Sequence, residues 1–151
     1  KMTLRFLHSS ADFYAAQTLI HRSQFLAKKS WSKPLDEMAI EGLSSHIWIG
    51  VGLFDENGQL ISYLDYKYAA PDQIELGICC TAADHRRKGY MAMLLHKVIS
   101  ENQDITFRIG TYEGNSAMIH CILSTGFIEE FTIANDRIDG RSSIHFVYHG
   151  K

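Results

Sequence analysis

Apolar positions along this chain change their period several times, and each change marks an element. Residues 2–7 alternate between polar and apolar as a strand does. Ser9 and Asp12 then form a helix-opening cap pair, and Phe13, Ala16 and Ile20 continue one helical face. Ser32-Lys33-Pro34 opens a second helix with proline at an early position, and Leu35, Met38 and Ala39 are its expected buried face. From His46 the period becomes two, with Ile47, Ile49, Val51 and Leu53 on one side. Asn57-Gly58 turns that strand into a second one over 60–68, a hairpin signature. Pro71-Asp72 leads into the apolar stretch 73–80, which reads as a buried strand. Met91, Leu94, Leu95 and Val98 restore the helical stripe over 89–101. A strand over 105–112, a short helix over 115–124 closed by Gly126, and two strands over 127–133 and 143–148 complete the pattern.

The predicted order is β-α-α-β-β-β-α-β-α-β-β within one domain spanning residues 1–151. The strand–helix–strand unit over 73–112 calls for a right-handed crossover between parallel strands. Other neighbours read as antiparallel. The fold class is therefore α/β, a mixed and mostly antiparallel twisted sheet flanked by helices.

Candidate chemistry concentrates at Arg86-Arg87-Lys88-Gly89-Tyr90-Met91, a basic loop between a buried strand and a helix. Helix N-termini carry unpaired N–H groups and about +0.5 of a charge, so such a loop attracts anions. Gly89 lets backbone approach a ligand closely, which makes a phosphate or pyrophosphate the expected occupant. A second Arg-x-x-Gly, Arg137-Ile138-Asp139-Gly140, precedes no helical pattern and reads as a hairpin turn.

The remaining composition narrows the class. Net charge is −2, which argues against nucleic acid and acidic membrane as partners. No apolar run approaches the ~18 residues that span a bilayer, and the first residues lack a signal-peptide core. Three cysteines without metal-ligand spacing point to a reducing, cytoplasmic setting. Cys79 and Cys80 are adjacent in a strand, so they face opposite sides and read as packing residues. The eight histidines show no ligand spacing, and no metal is expected.

The element order, the loop at 86–91 and the run Asn115-Ser116-Ala117-Met118-Ile119-His120-Cys121-Ile122-Leu123-Ser124-Thr125-Gly126-Phe127 together resemble the GNAT superfamily of acetyl-CoA-dependent N-acetyltransferases. The loop matches that family's (Gln/Arg)-x-x-Gly-x-(Gly/Ala) pattern, and the second run matches its Asn-led helix ending in Gly-Phe. The match covers most of 46–130 and departs from the pattern twice. Met91 stands where a Gly or Ala is usual, and Ile122 stands where many relatives carry a tyrosine that protonates the departing thiolate.

The resemblance implies transfer of an acetyl group from acetyl-CoA to the amine of a small molecule or peptide. Arg86, Arg87, Lys88, Gly89, Tyr90 and Met91 would hold the pyrophosphate, and backbone of Cys79, Cys80 and Thr81 the pantetheine arm. Asn115 serves either as helix cap or as cofactor contact. Gly77 hints at a bulge that frees backbone groups for the ligand. A lysine-type amine is neutral in only about one molecule in 2500 at pH 7, so a base is useful. Glu75 is the candidate base, with its pKa raised by an apolar strand, against the alternative that it is solvated or paired with a lysine. Tyr112 either supplies a proton or forms a pocket wall. Asp12, Asp36, Glu37 and Glu41 make the first helices acidic, which either favours a cationic acceptor or merely solvates a helix face. The competing reading is an acyl-CoA-binding sensor module that has lost turnover. A terminal hairpin leaves an edge strand open to homodimer pairing.

Overall fold

The computed structural model describes residues 1–23 and 34–150. Seven strands, among the described residues, form one sheet in the order β1-β2-β3-β4-β5-β7-β6. They are β1 (Thr3–Phe6), β2 (Ile49–Phe54), β3 (Leu60–Ala70), β4 (Gln73–Thr81), β5 (Thr106–Tyr112), β6 (Ile128–Ile133) and β7 (Ser143–His149). Only β4 and β5 pair in parallel, as the intervening helix requires. Four described helices accompany them: α1 (Ser10–Ser23), α2 (Leu35–Ser44), α3 (Tyr90–Ser100) and α4 (Ser116–Thr125).

Two apolar layers clamp the sheet. Leu94, Leu95 and Val98 of α3 pack with Ile74, Leu76, Phe107, Ile109 and Ile122 on one face. Ala16, Leu19 and Ile20 of α1 pack with Ala39, Leu43 and Tyr63 on the other. Cys79 joins the first layer and Cys80 the second, the opposed placement expected of neighbours in a strand. Met91 also leans on the first layer, so its side chain turns toward the core.

The Asn57-Gly58 hairpin forms as expected. Asp55 Oδ1 accepts the N–H groups of Asn57 (2.9 Å) and Gln59 (2.8 Å), and Gly58 adopts φ +77°. Ser9 Oγ accepts the Asp12 N–H at 3.2 Å, which caps α1. The Asp12 carboxylate returns to the Ser9 backbone. It accepts the His8 N–H and takes a two-pronged contact from Arg5 at 2.8 and 3.0 Å, pinning α1 to β1.

Two expectations shift, and a third lies partly outside the described residues. Ser32 and Lys33 lie outside the described residues, and α2 begins at Leu35 behind Pro34. Met38 is 37% exposed, and Gly42 and Leu43 fill the buried face with Ala39. Ile47 is 61% exposed, because Ile47 and Trp48 both donate N–H groups back to the Gly42 carbonyl and β2 starts only at Ile49. Within β2, Gly50 and Gly52 are also buried, since α1 and α2 cover the face that the two-residue period left to solvent.

Candidate active site

Pairing between β4 and β5 stops early. Only Gln73, Ile74 and Glu75 align with Thr106, Phe107 and Arg108, and beyond Glu75 the edge of β4 facing β5 has no strand partner. The gap opens into a cavity of about 570 Å³. Glu75, Leu76, Gly77, Ile78, Cys79 and Cys80 line one bank, while Arg108, Gly110, Tyr112 and Asn115 line the other.

A bulge shapes the β4 bank. Leu64 opposes Cys79 and Tyr66 opposes Leu76, so Gly77 and Ile78 together face the single residue Asp65. A Cβ at Gly77 would collide with the Asp65 carboxylate and the Trp48 indole, so only glycine lets that carboxylate occupy the bulge. Asp65 is 2% exposed and accepts the Tyr63 hydroxyl (2.6 Å) and the Ile78 N–H (2.7 Å). Burial raises its pKa to about 6, against the opposing pull of those two donors. The bulge expected from Gly77 is therefore present, but the Ile78 amide it diverts goes to Asp65.

Glu75 lies on the cavity rim and is exposed, so the desolvation expected for it is absent. Lys67 stands opposite it in the β3–β4 register. The lysine ammonium sits instead over the Trp48 ring at 4.9 Å, and no Glu75 ion pair is found among the described residues. Asp12, Asp36, Glu37 and Glu41, the acids of the early helices, do not line the cavity.

On the opposite bank Tyr112 is flanked by two guanidinium groups, Arg141 at 4.4 Å and Arg137 at 5.6 Å from its ring centre. Arg137 belongs to the turn between β6 and β7, where the second Arg-x-x-Gly was expected, with the Gly140 N–H donating to the Arg137 carbonyl. The turn is as predicted, but its arginine is not a solvated turn residue. It is buried at 9% exposure and reaches the cavity.

The residues expected to hold a cofactor run from the end of β4 to the start of α3, with Asn115 across the gap. Thr81 closes β4, with its hydroxyl 2.8 Å from that of Ser62 and its carbonyl accepting Arg86 Nε at 3.1 Å. Arg86, Arg87, Lys88 and Gly89 are exposed just before α3 and lie outside the cavity lining. Arg87 (φ +63°) and Gly89 (φ +77°) both adopt left-handed backbone, and no side chain caps the helix start. A Cβ at Gly89 would meet nothing within 4 Å, so the approach to the first-turn N–H groups is open. Tyr90 packs against the core beside Met91. Asn115 makes no side-chain cap for α4; its amide donates to Thr111 Oγ1 at 2.9 Å. Ile122 is wholly buried in the core. Burial also pushes the Cys79 and Cys80 thiols above their ordinary pKa, which disfavours thiolate chemistry in the cleft.

β4 and β5 thus part around a cavity, and the helix that joins them starts uncapped. A family model for the acetyltransferase (GNAT) family matches residues 11–127, so the chain belongs to that family and is an acyltransferase. Solved structures agree in fold. The ribosomal-protein-S18-alanine N-acetyltransferase of Escherichia coli shares 20% identity at a TM-score of 0.81, covering 100% of this chain and 95% of that one. The spermidine N-acetyltransferase of Vibrio cholerae, in complex with CoA and spermine, shares 15% at 0.76, covering 99% and 95%. A Salmonella typhimurium protein solved with its cofactor acetyl-CoA shares 17% at 0.78, covering 99% and 94%. No curated protein sequence matches the chain.

Proposed function

We propose that this protein transfers the acetyl group of acetyl-CoA to the primary amine of a small molecule or peptide by direct attack. The observation that carries the reading is the cleft where β4 parts from β5, in a strand whose chain runs on to an unobstructed helix N-terminus at Gly89. Arg86, Arg87, Lys88 and the N–H groups after Gly89 would hold the pyrophosphate, and the unpaired edge of β4 through Cys79, Cys80 and Thr81 the pantetheine arm. Tyr90 and Met91, leaning on the core, leave the approach clear, and Asn115 lines the far bank. Bound acetyl-CoA supplies an electrophilic thioester carbonyl and a thiolate leaving group.

The protein's own part is to position and deprotonate the amine. Glu75, exposed at the rim and free of any ion pair among the described residues, accepts the proton and releases it to solvent. Asp65, buried beneath it, attracts the amine into the cleft. Tyr112 forms the facing wall. The Vibrio cholerae and Escherichia coli relatives are named for amine-bearing acceptors, a polyamine and a protein alanine, in keeping with an amine here. The exposed edge strand β6, with Ile128, Phe131 and Ile133 uncovered, offers a pairing site for a second copy of the chain. The chemistry suits a cytoplasmic setting, where acetyl-CoA is supplied.

One observation favours a second reading, an acyl-CoA-binding module without turnover: Ile122 places a buried aliphatic side chain where relatives carry the protonating phenol. Two measurements decide. Acetyl-CoA at 100 times Kd should stabilise the fold by about 2.7 kcal/mol in a melt, with ATP as the control for generic phosphate binding. Release of free CoA across a panel of amines establishes the enzyme, whereas binding without amine-dependent release establishes the module. No stabilisation at millimolar acetyl-CoA would end both readings.

A further inference from the structure

The cavity opens where β4 and β5 part, and its two banks carry opposite charge. Asp65 and Glu75 project from β3 and β4 on one side, and Arg108 and Arg137 stand on the other. Arg108 is already engaged, with Nε and Nη2 on the Glu130 carboxylate at 3.1 and 3.3 Å. Arg141, over Tyr112, is held by Asp139.

Arg137 differs. Its one side-chain hydrogen bond among the described residues runs from Nε to Ser143 Oγ at 2.9 Å. The Ser143 hydroxyl passes on to Asp136 at 2.5 Å, so this carboxylate is reached through a relay. Asp136 and Asp139 attract the guanidinium, and burial pushes its pKa down from the usual arginine value. A cation in this state, at the wall of a cleft, is completed by an anion that enters the cleft.

We infer that the acceptor is a zwitterion, an amine that carries a carboxylate in the same small molecule. Arg137 binds the carboxylate beside Tyr112, and the amine faces Asp65 and Glu75 across the gap. A guanidinium matches a carboxylate with two parallel N–H donors, which a lysine or a neutral wall cannot do. The opposite banks then orient the acceptor, with its amine at the β4 edge where the thioester would lie. The inference rests on the acetyltransferase reading for the reaction, but the carboxylate site itself belongs to Arg137 and can be read without turnover.

The test uses the whole chain with saturating acetyl-CoA. CoA release is followed with each of the common L-amino acids and with its primary amide, which keeps the side chain and the amine but removes the negative charge. Rates are compared per neutral amine. For the preferred side chain, kcat/KM for the acid should exceed that of the amide by about 10- to 100-fold, the worth of a charge-assisted hydrogen bond. Arg137→Met should collapse that ratio toward one, and Arg137→Lys should restore only part of it. A purely structural arginine would lower acid and amide together and leave the ratio alone. Calorimetry on the CoA complex, with N-acetyl amino acids against their amides, gives the same comparison without chemistry. Should acetyl-CoA fail to bind, the acetyltransferase reading falls, and calorimetry of acids against amides on the free protein still reads the arginine site. Equal use or equal binding of acid and amide, no carboxylate-dependent binding across the panel, or a preference that survives Arg137→Met overturns the inference.

Discussion

The loop that opens α3 and the cleft between β4 and β5 lie side by side but are assembled differently. The loop draws its chemistry from consecutive residues, Arg86 to Gly89, all exposed and all set by local backbone. The cleft draws on β3, β4, β5 and the β6–β7 turn, and its charged groups include a buried carboxylate and a buried guanidinium. Anion binding by backbone N–H groups tolerates exposure, because the donors belong to the helix itself. Orienting a small acceptor calls instead for desolvated charges, whose burial only the assembled fold can provide. Changes in the loop should therefore alter affinity for the acyl donor, and changes in the cleft should alter turnover and stability.

The largest expected effect is on turnover. Glu75→Gln keeps the shape of the rim and removes the proton acceptor, so kcat/KM at pH 7 should fall by about 10²- to 10⁴-fold. Acetyl-CoA affinity measured by calorimetry should hold. A variant with unchanged turnover would remove Glu75 from the mechanism and leave Asp65 as the carboxylate of interest.

Next comes stability. The Asp65 pKa is about 6 in the folded protein, above the ordinary carboxylate value near 3.8. The folded state thus holds the proton more tightly, and stability declines as pH rises from about 4 through 6, then stays low. Asp65→Asn, which cannot ionise, should gain up to about 3 kcal/mol over the parent at pH 8 and only about 1 kcal/mol at pH 4.5. Urea unfolding at the two pH values measures this. An equal change at both would mean that the hydrogen bonds to Tyr63 and Ile78, rather than the charge, set the effect.

The smallest effect isolates the loop. Gly89 and Gly58 share φ +77°, and neither has a neighbour where a Cβ would stand. Placing valine in that backbone costs about 1–2 kcal/mol at either position. Gly89→Val should also weaken acetyl-CoA binding about tenfold, whereas Gly58→Val, in the β2–β3 turn, should lower the melting temperature alone. Equal affinities in the two variants would detach the α3 start from the acyl donor.

The same contrast governs what the sequence made legible. The α3 stripe, the Asn57-Gly58 hairpin, the parallel β4–β5 pair and the Gly126 helix end all follow from residues close together, and each is present. Gly77 announced its bulge for the same reason. Asp65 and Arg137 were missed because their roles depend on distant partners. Asp65 did leave a signal, a lone acid inside the apolar strand Leu60–Ala70, since an unpaired charge in such a run needs donors from elsewhere. Arg137 left none: in a polar turn, nothing local distinguishes an arginine that folds inward. The exposure of Glu75 was one of two readings that the sequence left open, because β4 changes from a buried strand to a cavity rim only when β5 diverges from it.

Cys79 and Cys80 give this molecule a pair of built-in chemical reporters. One thiol sits in the α3 layer and its neighbour in the α1–α2 layer, yet both border the cleft. Their raised pKa values keep spontaneous alkylation slow, so modification follows whichever layer loosens first. Peptide mapping after a timed pulse of iodoacetamide would separate the two modification rates within a single tryptic fragment. A filled cleft should slow both, while loosening of α1 and α2 alone should speed only Cys80. One dipeptide thus records, on the native chain and without an engineered cysteine, which side of the sheet is breathing.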